Sequence, residues 1–564
     1  MAAAVIEQGS PADIANQEWT EHCLSAVRRF LKNVVVIDNE PFVEIKGMRG
    51  DTNFSLQPPD NGLDAPDDLV ITPIQSAHQE HEDINAHRLD VRKISDAFAE
   101  EGLACAFVLP DDDSADEDGL VRRALNSALI SDIVVIDWFL FDNSPNLTKR
   151  ILKEIAQRDA SENGRVRFIC VYTGQPLLDT VGLDVTEALG RGGIHLNPVN
   201  ENLFFSKSQS CFVAVLNKQT TLPIDLPKTL INLFIHFADG ILPTFALAAI
   251  GAIRKNTHHM VTRFGRELDS AYIANRLITN PPEDVAELMR DLLVAECDNA
   301  LGLESVADHY LDKKAIDRWL NKHEASIAPQ AYGDKQVDMS LLKLLLNHGI
   351  DQKRVGEPAI SLPVEKRNKV SIALAGNADC SKDAEAAFSR LVVFKREAFG
   401  DTKLLGDNGW LPSLTTGTLL RLQEGEAKRY FICLTPACDT LRLSAETPFV
   451  FIEATIDDNR YSIILKEEDG NRGIYFRGKH PTLKTYSFLP DTETQRVRGE
   501  THQLETNRPT FNFSTINGRH RFTWLGEIRY ARAASEMAKL AGNWMRIGIN
   551  DSEHLRLIEA GKFK

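Results

Sequence analysis

The feature that most constrains the fold is an unbroken aliphatic run, Ile133–Ile136, which leads directly into Asp137. A run of Val and Ile without alternation is typical of a strand that is covered on both faces. Such strands belong to parallel sheets that have helices on each side. Asp137 is then expected at the carboxyl end of a central strand, where open α/β sheets bind their ligands.

Four more segments repeat this apolar pattern, and segments with helical periodicity alternate with them. The predicted strands cover residues 33–38, 103–109, 131–140, 166–172 and 211–217. The predicted helices cover residues 12–32, 91–101, 120–129 and 147–158. Because right-handed crossovers join parallel strands, this alternation predicts an α/β fold with a flavodoxin-like, doubly wound parallel sheet.

Polar residues follow the ends of four of these strands. They are Asp38, Asn39 and Glu40 after the first strand, then Asp137, Thr173 and Lys218. The set resembles the receiver domain of bacterial two-component response regulators, over about residues 31–225. In that family an aspartate at the end of the third strand accepts a phosphoryl group.

The resemblance implies a role for each of these positions. Asp137 is the expected phosphoacceptor, and Thr173 and Lys218 are expected to contact the phosphoryl group. Mg²⁺ is the implied cofactor, since clustered carboxylates are hard oxygen ligands that screen the charge of an approaching phosphoryl group. Its expected ligands are Asp38, Asn39, Glu40, Asp137 and the backbone carbonyl of Phe139.

The sequence departs from the family pattern at three places, and two hypotheses about the function of the receiver-like region therefore stay open. Asn39 stands at the second acidic position, Trp138 and Phe139 replace a Met-Pro turn, and Gln219 follows Lys218 where proline is usual. The first hypothesis is a signalling protein that a histidine kinase phosphorylates on Asp137. The second is a degenerate receiver that acts as a protein-binding scaffold, with a GHKL-type ATPase as partner, in a bacterial conflict or phage-defence system.

The pattern of predicted helices and strands divides the chain into four regions. Residues 1–225 are expected to form the receiver-like domain with an excursion at about 41–90, and residues 226–330 a helical transmitter or dimerisation region through which two chains could associate. Residues 331–380 are predicted to be a linker. Residues 381–564 carry several short strands and flanking helices, which predict a mainly-β small barrel or curled antiparallel sheet.

The C-terminal region contains one candidate site, formed by Cys438, Asp439 and Arg442. A cysteine next to an aspartate at a strand end can be a nucleophile, which would make this region an enzyme. The alternative is a buried thiol, with Asp439 capping a turn and pairing with Arg442. The sequence contains no recognisable P-loop or nucleophile elbow, so an enzymatic activity is not the first expectation.

Composition restricts the environment and the partners. The net charge of −16 does not indicate nucleic acid as a partner, and scattered cysteines favour a reducing, cytoplasmic location. One apolar window, residues 229–253, has the length of a membrane span. It contains His236, Asp239 and Pro243 near its centre, so a buried helix or broken helical hairpin is predicted instead of a span.

Overall fold

The computed structural model of the protein divides into two compact units. The first comprises Met1–Val261 and Glu296–Lys322, and the second Thr262–Ala295 and His323–Lys564. The structure describes residues 11–39, 41–42, 89–109, 117–141, 144–161, 165–174, 179–206, 210–280, 283–350, 362–393, 411–457, 461–467, 470–477, 481–502 and 510–544. The predicted excursion at about 41–90 therefore lies outside the described residues, except for two short strands at its ends, and Glu40 also lies outside them.

The first unit is built on a seven-stranded sheet. In chain order the strands of this unit are β1 (Asn33–Ile37), β2 (Pro41–Phe42), β3 (Leu89–Asp90), β4 (Ala104–Val108), β5 (Ile133–Ile136), β6 (Arg167–Thr173), β7 (Leu196–Asn200), β8 (Leu203–Ser206) and β9 (Cys211–Asn217). The short strands β2 and β3 pair separately, in parallel.

The order of strands in the sheet is β4-β1-β5-β6-β9-β8-β7. The first five are parallel neighbours, whereas β8 and β7 continue the sheet as antiparallel strands. Numbered among themselves, the five parallel strands run in the order 2-1-3-4-5, which is the flavodoxin-like arrangement. The predicted fold class is confirmed.

Helices cover both faces of this sheet. The helices that pack around it are α1 (Pro11–Phe30), α2 (Val91–Glu100), α3 (Glu117–Ile130), α4 (Asn146–Ser161), α5 (Asp179–Arg191), α6 (Leu226–Ala238) and α7 (Ile241–Lys255). Alternate residues of each strand face opposite layers. Val34 and Val36 pack with α1, α2, α6 and α7 in one apolar core, and Val35 and Ile37 pack with α3, α4 and α5 in the other.

Eight more described helices follow these elements in the chain. They are α8 (Thr257–Arg263), α9 (Asp269–Ile278), α10 (Glu283–Leu303), α11 (Val306–Tyr310), α12 (Lys313–Lys322), α13 (Met339–His348), α14 (Asn368–Ala375) and α15 (Ala378–Val393). A two-stranded hairpin, β10 (Gln330–Tyr332) with β11 (Lys335–Val337), precedes α13. Within the described residues, no single helix is both long and apolar enough to cross a membrane, although α6 and α7 meet that test together as a pair bent by 120°.

The second unit contains a nine-stranded antiparallel sheet. Its strands are β12 (Thr418–Glu424), β13 (Ala427–Cys433), β14 (Thr447–Ile456), β15 (Ile463–Glu467), β16 (Gly470–Tyr475), β17 (Thr482–Phe488), β18 (Glu500–His502), β19 (Thr510–Ser514) and β20 (Arg521–Glu527), followed by α16 (Tyr530–Trp544). Among the described strands, β15 and β18 form the two ends of the pairing path, so the sheet is open. The prediction of a mainly antiparallel β-rich region is confirmed, and the described strands form an open sheet instead of a closed barrel.

Candidate functional site

Four polar residues meet at the carboxyl edge of the parallel sheet. Asp38 follows β1, Asp137 follows β5, Thr173 ends β6, and Lys218 follows β9. These strands are consecutive neighbours in the sheet, which explains why residues far apart in sequence come together. All four are buried. The structure thus brings these four residues, which were named from the sequence, to one edge of the sheet, and the roles assigned to them stay predictions.

The ammonium group of Lys218 bridges the two carboxylates. Lys218 Nζ donates a hydrogen bond to Asp38 Oδ2 at 2.8 Å and another to Asp137 Oδ2 at 2.5 Å. Backbone hydrogen bonds hold the strand ends in register: Asp137 N donates to Ile37 O at 2.9 Å, and Lys218 N donates to Thr173 O at 2.8 Å. The sheet itself therefore fixes the positions of the three charged groups.

Burial and charge act together on the protonation of this cluster. Burial raises the pKa of Asp137 to about 6, an effect that Asp38 strengthens and Lys218 partly opposes. For Lys218, burial alone would lower the pKa, but the two carboxylates outweigh it and raise the pKa above its usual range. At neutral pH Asp137 is therefore ionised and Lys218 is protonated, so the two groups form a buried ion pair.

The loop after Asp137 is held by contacts from α4. Thr148 Oγ1 donates a hydrogen bond to the backbone carbonyl of Asp137 at 2.9 Å, and Phe139 N approaches Asp137 Oδ1 at 3.4 Å. Trp138 is buried, and Lys149 Nζ lies 5.7 Å from the centre of its ring. Thr148 could not be identified from the sequence. Nothing about a threonine in the first turn of a helix indicates which distant residue its hydroxyl contacts.

The residues around Lys218 restrict its position. Lys218 Nζ lies 5.8 Å from the centre of the Tyr172 ring, and the Tyr172 hydroxyl donates to Thr221 O at 2.6 Å. Asn217 accepts a hydrogen bond from the backbone N–H of Gln219 through Oδ1 at 2.7 Å. Hydrogen bonds therefore hold the turn after β9 on both sides of Lys218. Tyr172 and Asn217 were not singled out from the sequence.

The donor chemistry of this edge fits a small divalent cation. Two carboxylate oxygens converge on one ammonium group, and Mg²⁺ in proteins is usually held by one or two carboxylates together with water and phosphate oxygens. Asn39 is half-buried next to Asp38. Among the described residues, no group of three His, Cys, Asp or Glu side chains is close enough to hold a metal ion. The described part of this site therefore offers a metal ion at most two carboxylate side chains.

The C-terminal candidate site lies in the second unit and differs from the receiver site in the exposure and protonation of its residues. Cys438 is exposed, which is contrary to the expectation of a buried thiol, and its Sγ donates to Asp439 Oδ1 at 3.3 Å. The hydrogen bond to Asp439 raises the pKa of Cys438. Arg442 has a φ of 58° and its Nε donates to the carbonyl of Asn280. A raised pKa disfavours the thiolate that a cysteine nucleophile requires.

Comparison with known families agrees with the geometry of the N-terminal region. Residues 30–223 match the family model described as a response receiver domain, which covers about a third of the 564-residue chain. Comparisons with curated proteins and with solved structures found no match. Residues 30–223 are therefore a response receiver domain, and the resemblance to response regulators predicted from the strand ends is confirmed.

Proposed function

We propose that the receiver domain accepts a phosphoryl group on Asp137 from a histidine kinase in the cytoplasm and thereby controls the C-terminal β-rich domain. The observation that supports this most directly is the convergence of Asp38, Asp137 and Lys218 at one edge of the sheet. A carboxylate nucleophile, a second carboxylate and a fixed cation are the groups that phosphoryl transfer to an aspartate requires.

In the proposed reaction an Asp137 carboxylate oxygen attacks the phosphorus of a phosphohistidine on the kinase. A new O–P bond forms, the N–P bond breaks, and the imidazole nitrogen keeps the electron pair. The Lys218 ammonium group, which already contacts Asp137 at 2.5 Å, would stabilise the charge that develops on the phosphoryl oxygens. Asp38 and Asp137, with the backbone carbonyl of Phe139, would hold Mg²⁺, whose charge offsets the repulsion between the carboxylates and the phosphoryl group.

Thr173 is proposed as the residue that senses the phosphoryl group. Its side chain is buried at the end of β6, one strand away from Asp137. A hydroxyl at this position could donate to a phosphoryl oxygen, which would move the loop that follows β6. The helical region after β9 is the proposed route to the C-terminal domain, and dimerisation through it is the proposed way in which two receivers would act together.

The proposal is tested by incubating the full chain with acetyl phosphate and Mg²⁺ and measuring the intact mass. Wild-type protein should gain the mass of one phosphoryl group, and an Asp137→Asn variant should gain none. Asp96→Asn is a matched control, because Asp96 lies on the exposed side of α2. Equal phosphorylation of the Asp137→Asn variant, or no phosphorylation of the wild-type protein by acetyl phosphate or by a kinase, would contradict the proposal.

A second function, a scaffold that binds a GHKL-type ATPase without phosphorylation, is favoured by one specific observation. Lys218 already forms ion pairs with both carboxylates, and Asn39 contributes no charge where an acid is usual. A phage-defence or other conflict system is the proposed context. This function predicts that partner binding in a pulldown survives the Asp137→Asn change, whereas phosphorylation-dependent signalling predicts that the change alters binding.

An enzyme centred on Cys438 is the third and least favoured function. The exposed thiol has a raised pKa because Asp439 accepts its hydrogen bond. Slow alkylation of Cys438 by iodoacetamide, at the rate of a small-molecule thiol or below, is therefore expected. Alkylation of Cys438 much faster than that of a free thiol would instead support the enzymatic hypothesis.

A further inference from the structure

A second cluster of charged side chains lies at the amino edge of the receiver sheet, opposite to Asp137. It surrounds a cavity of about 430 Å³, and four of the residues that line the cavity are cations, namely Arg29, Lys32, Arg254 and Lys255. Lys32 directly precedes β1 and Asp132 directly precedes β5. The cluster thus sits at the beginning of the two strands that carry Asp38 and Asp137 at their ends.

The packing of two helices brings these cations together. Arg29 lies in the last turn of α1, and Arg254 and Lys255 lie in the last turn of α7. Gly251 allows the two helices to approach closely, because a Cβ atom at this position would lie only 2.5 Å from the carbonyl oxygen of Arg29. This close contact places Arg29 beside the last turn of α7, which carries Arg254 and Lys255.

Acidic neighbours offset only part of this positive charge. Arg254 Nη1 donates to Asp132 Oδ1 at 3.1 Å, and Lys255 Nζ donates to Glu304 Oε1 at 2.9 Å. Glu304 is shared, since Arg29 Nη1 also contacts it at 3.5 Å. Within the described part of the chain, two carboxylates thus pair with the cations that line the cavity. The carboxyl ends of the two helices add roughly half a negative charge each, which still leaves a positive excess.

Burial and the neighbouring charges both act on the pKa of Lys32. Burial lowers the pKa of Lys32, and repulsion from Arg254, Arg29 and Lys255 lowers it further, while Asp132 opposes the shift. Such repulsion is what a site of positive potential imposes on a lysine. Because the whole chain carries a net charge of −16, the local excess does not follow from the overall composition.

We propose that this cavity binds a phosphate monoester or diphosphate group, as found on nucleotides and on lipid headgroups. The two guanidinium groups can each present a pair of N–H donors to phosphate oxygens, and the two ammonium groups supply point charges. Gly251 and Ala252 line the cavity between these cations. The volume falls in the range of roughly 300 to 1,000 Å³ that is usual for small-ligand sites.

This site does not depend on phosphorylation of Asp137. The strands between the two edges rise about 3.3 Å per residue, so four to five residues separate the sites by roughly 15 Å. A ligand at the amino edge would therefore not contact the acceptor carboxylate. Asp137→Asn is expected to leave the affinity of the cavity for its ligand unchanged.

The test is isothermal titration calorimetry of the full chain with inorganic diphosphate at low ionic strength. One diphosphate per chain is expected, with an affinity that falls as sodium chloride is added. The double variant Lys32→Gln/Lys255→Gln should bind at least about tenfold more weakly, because two charges next to the ligand are lost. Lys228→Gln, an exposed lysine of α6 that does not line the cavity, is the matched control and should bind like the wild type.

Two outcomes would overturn the proposal: wild-type protein shows no saturable binding, or the double variant and the Lys228→Gln control bind with equal affinity. Should the double variant fail to fold, as judged by circular dichroism, Lys255→Gln alone replaces it, because the Lys255 side chain is 69% exposed. ADP and vesicles of phosphatidylcholine with phosphatidic acid then distinguish the source. Binding of ADP supports a free nucleotide, and binding of the vesicles supports a lipid headgroup.

Discussion

The carboxyl group of Asp137 lies among groups that shift its pKa in opposite directions. Burial and the neighbouring Asp38 raise the pKa, Lys218 lowers it, and the result is a pKa of about 6 instead of the usual 3.8. A protonated carboxyl group is not a nucleophile. The proposed reaction should therefore be switched off in mildly acidic solution, where an ordinary aspartate would still be ionised.

The first prediction concerns the pH dependence of phosphorylation. At Mg²⁺ concentrations far below saturation, the rate with acetyl phosphate should rise with pH as Asp137 loses its proton, with an inflection near its pKa of about 6, and should then level off. Bound Mg²⁺ favours the ionised carboxylate, so saturating Mg²⁺ should move the inflection to lower pH. Because the Lys218 ammonium group lowers that pKa, Lys218→Met should move the inflection to higher pH, and Lys218→Arg should retain it. Initial rates measured from mildly acidic to neutral pH check this. An inflection near the ordinary value of 3.8 would contradict it.

The second prediction concerns Thr148, whose hydroxyl is the donor to the carbonyl of Asp137. Thr148→Val keeps the shape of the side chain but removes that donor at a fully buried position. The loss should lower the free energy of unfolding of the first unit by about 1 to 2 kcal/mol.

Urea denaturation followed by circular dichroism measures the effect of Thr148→Val. Thr186→Val is the matched control, because the hydroxyl of Thr186 donates within its own helix, to Gly182 O, and is partly exposed. Equal stability of the two variants would show that the hydrogen bond to Asp137 contributes nothing measurable.

The residues at the strand ends could be predicted from the sequence, whereas other buried polar residues could not. Asp137 follows an unbroken apolar run, and such a run places the next residue at the edge of the sheet. Arg167 is fully buried and pairs with Asp159 through hydrogen bonds of 2.5 and 2.7 Å. Nothing near Arg167 in sequence distinguishes it from an exposed arginine, because its partners are set by the packing of α4 on β6.

At the scale of elements, the five parallel strands were predictable and the two antiparallel edge strands were not. The parallel strands are mainly apolar, and those inside the sheet are buried almost throughout because helices cover both of their faces. In contrast, β7 contains Pro198 and four exposed residues, as an edge strand tolerates. Its sequence therefore lacks the apolar signal on which the prediction of strands depended.

A third prediction tests the contact between α1 and α7. Gly251→Ala should push the two helices apart, because the new methyl group would lie 2.5 Å from Arg29 O, a backbone atom that cannot move aside easily. Gly302→Ala is the matched control, since an added Cβ there meets nothing within 4 Å and alanine favours helix. The thermal midpoint should fall for Gly251→Ala and stay equal or rise for Gly302→Ala. A midpoint unchanged by Gly251→Ala would contradict the close contact.

At the scale of the molecule, the first compact unit extends beyond the receiver match. The match ends at residue 223, whereas the unit continues through α6 and α7 and includes Glu296–Lys322. Leu230, Ile231 and Phe234 of α6 are buried in the core that contains α1 and one face of the sheet. The receiver sheet thus shares its core with helices that follow it in the chain.

The fourth prediction follows from this shared core. A fragment of residues 1–225 lacks α6 and α7 and should expose one apolar face of the sheet, so it should aggregate or melt at lower temperature. A fragment of residues 1–322 retains every segment of the first unit and should remain soluble and fold cooperatively. Size-exclusion chromatography and thermal unfolding compare the two. Equal solubility and stability would show that α6 and α7 are dispensable for the receiver fold.

The central claim, that Asp137 accepts a phosphoryl group, is tested most directly by locating the modified residue. After treatment with acetyl phosphate and Mg²⁺, borohydride reduction of the full chain traps an aspartyl phosphate as homoserine, which peptide mass spectrometry assigns to a position. The account predicts homoserine at position 137 in a treated sample and none in an untreated one. Modification at another aspartate, or no modification under conditions in which a kinase partner is active, would contradict it.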